Sequence, residues 1–77
     1  MKEFIEFVAK YLVDNPDNVV VEEKSSEENK TVYTLKVNSA DVGKVIGRKG
    51  KNAQAVRTLL TAAAARDGKK VILEILD

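Results

Sequence analysis

Cysteine and histidine are both absent from this 77-residue chain. Without cysteine there are no disulfides, no thiolate zinc sites and no sulfur nucleophile. Without histidine the usual general base is missing. The lack of disulfides fits a reducing compartment. No apolar run approaches the roughly 20 residues that a transmembrane helix needs. Lys2, Glu3, Glu6 and Lys10 interrupt the first apolar residues, so that stretch does not read as a signal peptide. A chain this short buries only about 60% of its unfolded surface. That leaves a thin core, one domain over residues 1–77, and no room for a buried multi-residue catalytic cavity. The expectation is a soluble cytoplasmic protein that is not an enzyme and carries no cofactor and no metal.

The net charge of +1 hides an uneven distribution. Residues 1–30 carry eight acids and four lysines, a net of −4. Residues 31–77 carry nine bases and four acids, a net of +5. No acid occurs between Asp41 and Asp67, whereas Lys44, Arg48, Lys49, Lys51, Arg57 and Arg66 all fall there. A basic face on a near-neutral domain suits a polyanion that touches one side only. Taken alone, the same cluster is equally a solvated helix surface.

Hydrophobic spacing divides the chain into six elements. Phe4, Phe7, Val8, Tyr11 and Leu12 recur at helical spacing and predict an amphipathic helix over residues 2–13 with these residues inward. Asn15-Pro16 ends it. Val19-Val20-Val21 opens a β-branched strand to about Lys24. The polar stretch Ser25 to Lys30 reads as a connecting loop. Thr31 to Val37 is a second strand, with Tyr33, Leu35 and Val37 on one face. Ser39 suits the N-cap of a short helix over 40–46. A longer helix follows over 52–66, with Ala53, Val56, Leu60, Ala63 and Ala64 inward. Gly68 suits the residue just past its end. Val71 to Leu76 is the last strand, with Val71, Leu73 and Ile75 inward. The order is α-β-β-α-α-β, an α+β fold. Two helices join the second and third strands, so those strands can pair in parallel. Three helices then cover one face of a three-stranded mixed sheet.

Gly47-Arg48-Lys49-Gly50 lies between the two predicted helices, preceded by Val45-Ile46 and followed by Lys51. Two glycines let a phosphate backbone approach the main chain without meeting a Cβ. The N–H groups of the following helix then point at that backbone. Gly-x-x-Gly alone is a common helix–helix turn. Here the cations inside it and the apolar pair before it add to the signal. Gly50-Lys51 does not make a phosphate-transfer loop, because Val45 and Asn52 stand where that motif needs Gly and Ser or Thr.

The run from Val45 to Gly50, with Ala53 and Val56 at helical spacing beyond it, resembles the core motif of KH domains. The whole chain, including Val56-Arg57-Thr58-Leu59-Leu60, is similar to the small bacterial single-KH RNA-binding proteins (KhpA-like). The resemblance implies the type II KH fold, in which an extra helix and strand precede the core. It also implies a groove that holds about four nucleotides by their backbone. Arg48 and Lys49 would meet phosphates, with Lys44 and Lys51 extending the track. Val45 and Ile46 would floor the groove or pack in the core. Arg57 would line the groove or stand on the solvated face. Phe4, Phe7, Tyr11 and Tyr33 read as core rather than stacking residues. Single-stranded RNA is the implied partner, and single-stranded DNA is not distinguished by the motif. The resemblance further implies RNA chaperoning, a link to cell-envelope growth and cell shape, and self-association. It also implies pairing with a larger KH-containing RNA-binding protein of the Jag/EloR type. Ala62 to Ala65 either serve as strong helix formers alone or, with Leu59, Ile72 or Leu76, make such a contact, which the pattern itself does not fix. The alternative is a dimerisation or adaptor module in which RNA contact is secondary.

Overall fold

In the computed structural model, which describes residues 1–76, the chain forms three helices and one mixed sheet. Asp77, part of the domain read from sequence, lies outside the described residues. Helix α1 spans Lys2–Leu12, and a short 3-10 turn follows at Pro16–Asn18. Strands β1 (Val20–Glu27) and β2 (Lys30–Lys36) pair antiparallel. Helix α2 (Val42–Ile46) is entered through a 3-10 turn at Ser39–Asp41, whose cap is Asn38 rather than Ser39. The Asn38 side chain accepts a hydrogen bond from the Ala40 amide at 2.9 Å. Helix α3 (Lys51–Ala65) leads to β3 (Lys70–Leu76), which pairs parallel with β2 from Lys30↔Lys70 to Lys36↔Leu76.

The sheet order β1-β2-β3 leaves β1 and β3 as edges. Val21, Leu35 and Leu73 point from the three strands into a core with Ile5, Ala9, Val45, Val56 and Leu60. On the opposite face Lys24 and Glu74 pair at 3.0 Å above the central strand. The helices therefore cover one face, and water reaches the other.

Three further details differ from the sequence expectation. The segment read as a loop from Ser25 to Lys30 is mostly strand, because Ser25, Ser26 and Glu27 pair with Val32, Thr31 and Lys30. Only Glu28 and Asn29 turn the hairpin, and a register shift at Lys24 absorbs one residue. Ala63 is exposed, and Ala64 alone of that pair is buried. Helix α1 is rotated from the expected phase. Its buried residues are Ile5 and Ala9, while Phe7 is 69% and Tyr11 83% exposed. Ile5, Val8, Ala9 and Leu12 also follow helical spacing, so α1 has two apolar stripes. Ala9 decides between them. Its small side chain lets the helix settle close onto the sheet, where a phenylalanine would hold it away.

Candidate nucleic-acid interface

The turn between α2 and α3 is built almost wholly from backbone geometry. Gly47 ends α2 with φ 78° and ψ 172°, a region essentially confined to glycine. Its N–H donates to the Gly43 carbonyl at 2.8 Å. Lys49 is held left-handed at φ 57°, uncommon for a residue with a Cβ, and Gly50 follows at φ 75°. The Gly50 N–H closes the turn on the Gly47 carbonyl at 3.1 Å. A Cβ on Gly47 would lie 2.7–2.8 Å from atoms of Asn52, one of them main chain; a Cβ on Gly50 would meet nothing within 4 Å. Gly47 is thus required by packing as well as by φ. Gly50 leaves open space beside the turn.

Asn52 was not singled out from the sequence, yet it sets this turn. Its Nδ2 donates to the Lys44 carbonyl at 3.0 Å, tying the first turn of α3 to the last turn of α2. An Asn two residues past the second glycine was the available signal.

Arg48, Lys49 and Lys51 are all exposed, and none forms an ion pair among the described residues. Their charges stand at the N-terminus of a 15-residue helix, whose first N–H groups favour anions. Lys44 differs. Its ammonium is paired with the Asp14 carboxylate and lies 3.7 Å from an Asp41 oxygen. These contacts, the Asp14 hydrogen bond foremost, raise its pKa above the ordinary lysine value. Asp41 is 1% exposed and accepts from the Asn15 main-chain N–H at 3.0 Å and from Asn15 Nδ2 at 2.9 Å. The Asn15 side chain is the main cause holding the carboxyl below the usual carboxylate range, against the opposing effect of burial. Asp14, Asn15 and Asp41 therefore lock the segment after α1 to the start of α2. Lys44 spends much of its charge inside that lock.

The apolar pair divides its roles. Val45 is 3% exposed and belongs to the core, whereas Ile46 is 37% exposed beside the turn. Arg57, two turns into α3, is exposed, and its Nε and Nη2 both donate to the Leu73 carbonyl on β3, at 3.4 and 3.3 Å. It bridges the flank of α3 to the free edge of the sheet. The structure thus places Gly47, Arg48, Lys49, Gly50, Lys51 and Ile46 together at one end of the helix layer. Arg57 stands further along α3, Lys44 is tied to acids, and Val45 is interior.

A model of the KhpA/KhpB KH-domain family matches residues 2–75. The RNA-binding protein KhpA of Clostridium perfringens is 49% identical over 76 residues, covering 99% of this chain and all of that protein. KhpA of Aquifex aeolicus is 48% identical over 77 residues, the whole of this chain and 96% of its own length. KhpA of Chlamydia trachomatis is 44% identical over 77 residues, covering 100% and 97%.

Proposed function

Because the chain belongs to the KhpA/KhpB KH-domain family, we propose that it is a non-enzymatic RNA-binding protein that grips short single strands at Gly47–Gly50. The family is one of RNA-binding KH domains and not an enzyme family. The observation that carries the proposal is a turn with two positive-φ glycines, three exposed cations that form no ion pair among the described residues, and a helix N-terminus without a side-chain cap at one place. Arg48, Lys49 and Lys51 contact phosphates, the open side of Gly50 admits the backbone, and Ile46 lies against a base. One such groove covers about four nucleotides, so the grip has low sequence specificity. A single domain over residues 1–77, acting in the cytoplasm as an RNA chaperone with a role in cell shape, completes this reading.

The test is fluorescence anisotropy with a short mixed-sequence RNA, comparing the native chain with Arg48→Asp/Lys49→Asp after circular dichroism shows equal folding. The double variant should lose binding. Equal binding by both proteins refutes the clamp.

A second reading, dimerisation with another copy or with a larger KH-containing partner, is favoured by exposed apolar side chains on α1 and α3. Leu59 on α3 is 55% exposed, with Ala55 and Ala62 exposed on the same helix, and α1 presents Phe7 and Tyr11 to solvent. This reading adds avidity to a weak clamp, since linking two weak sites raises their joint affinity.

A further inference from the structure

Among the described residues, Arg57 is the exposed cation of the acid-free window that is held by the main chain of the sheet. Its Nε and Nη2 share the Leu73 carbonyl on β3, an edge strand that pairs only with β2 among the described residues. Guanidinium is a rigid planar fork with five N–H donors. With the Nε–Nη2 side turned to Leu73, the Nη1–Nη2 end remains free and presents two parallel N–H groups. The plane and direction of that end are set by the contact with the strand. Gln54 and Thr61, one turn before and after, line with Arg57 and Thr58 a shallow depression on the flank of α3. A second depression joins Gln54 and Thr58 to Lys51 beside the loop. The two depressions share Gln54 and Thr58, and Ala55, Leu59, Ala62 and Ala65 complete their largely apolar lining. A strand leaving Gly50 thus has adjoining shallow surface, with polar groups spaced along it, as far as Arg57, about 10 Å further along the helix axis.

We infer that Arg57 is a specificity-determining residue that reads a base with two adjacent hydrogen-bond acceptors, guanine at O6 and N7 or cytosine at N3 and O2. The inference rests on the clamp proposed above. A phosphate is the poorer fit at this point. The Leu73 carbonyl already supplies partial negative charge there, whereas Arg48, Lys49 and Lys51 have no side-chain acceptor among the described residues. Adenine and uracil alternate donors and acceptors along their edges, so a paired-donor fork leaves one of its N–H groups facing another donor. A bidentate arginine contact to guanine discriminates against a wrong base by about tenfold or more. Exposed bases of a single strand present these edges freely. Gln54 adds an amide that both donates and accepts beside the same base.

The experiment measures anisotropy of four labelled eight-nucleotide strands, oligo-uridine and oligo-uridine with one central guanosine, cytidine or adenosine. The native chain should bind the guanosine or the cytidine strand about tenfold more tightly than oligo-uridine, with the adenosine strand close to oligo-uridine. The guanosine and cytidine arms tell the two bases apart. In Arg57→Lys and Arg57→Gln, the ratio between preferred strand and oligo-uridine should fall to about one. The ratio is the readout because loss of a phosphate contact, or partial loss of fold, weakens all four strands together. Binding of every strand by the native chain without discrimination overturns the inference and leaves the clamp standing. A ratio unchanged in Arg57→Lys overturns it as well. Absence of binding to any strand overturns the clamp, and the inference with it.

Discussion

Replacing Gly47 by alanine should destabilise the fold far more than the same change at Gly50, although both glycines have positive φ. At Gly47 two costs combine. The backbone at φ 78° and ψ 172° lies where residues with a Cβ rarely go, a strain of about 1–3 kcal/mol. The new Cβ would also sit 2.8 Å from the Asn52 main-chain nitrogen, which cannot swing aside as a side chain can. Relief requires α3 to shift against α2, loosening the Asn52–Lys44 hydrogen bond that joins them. At Gly50 the conformation is left-handed helical, with φ 75° and ψ 13°, and open space surrounds the added methyl. That costs only about 1–2 kcal/mol. A chain of 77 residues has a total stability of roughly 4–12 kcal/mol. Gly47→Ala should therefore remove about 3 kcal/mol or more, a large share of it. Urea unfolding followed by circular dichroism gives both values, with an unchanged m-value showing that the unfolded state is not altered. At about 4–8 °C per kcal/mol, Gly47→Ala should melt well below Gly50→Ala. Equal stability of the two variants would refute the packing argument at Gly47.

The remaining expectations concern charge and surface. Asp41 has a depressed carboxyl pKa in the folded chain, so its contribution is present above the unfolded value near pH 4. That contribution is lost as pH falls through the lower folded value. Stability should drop in acid, and Asp41→Asn should flatten the profile below about pH 4 while lowering stability at neutrality. Lys44 is shifted upward, so its share persists below about pH 10.4 and fades as pH rises through the folded value. If two to four phosphates meet the loop, log K against log salt should slope roughly −1.4 to −3; a slope near zero rules out a phosphate clamp. Phe7→Glu should leave the melting temperature almost unchanged, because Phe7 is 69% exposed. A loss of several degrees that does not vary with protein concentration would refute this burial of α1, whereas a concentration-dependent loss would point to Phe7 in a contact between copies.

The crossover topology, the parallel pair and the placement of the glycine turn were all legible in the residues. The reason is that each follows from spacing along one segment. The phase of α1 was not legible, since Phe4-Phe7-Tyr11 and Ile5-Ala9-Leu12 satisfy the same period. Only the close approach permitted by Ala9 against the sheet separates them. The strand character of Ser25 to Glu27 was hidden because polar side chains on an edge strand follow no hydrophobic alternation; backbone pairing alone orders them. At the turn, the glycines and the exposed cations Arg48, Lys49 and Lys51 could be named from sequence. The engagement of Lys44 could not, because its partner Asp14 is 30 residues away. The Leu73 contact of Arg57, across 16 residues, was equally out of reach. Local pattern reports what a residue can do, and distant partners decide how much of that capacity is left.

The parallel pairing of β2 with β3 also sets an order of events in folding. Glu27 and Lys30 are neighbours across a two-residue turn, so the β1–β2 hairpin closes at small entropic cost. Every β2–β3 pair joins residues 40 apart in sequence, as in Lys30 with Lys70 and Leu35 with Ile75. Those pairs gain nothing until α2 and α3 have bridged the gap, and long separations of this kind slow folding. During synthesis the hairpin and α1 therefore emerge with Val21 and Leu35 already patterned for a core that the chain cannot yet complete. Leu73 reaches them only some forty residues later. In that interval the glycine turn has a second task, since the angle it sets between α2 and α3 brings β3 alongside β2 and closes the core.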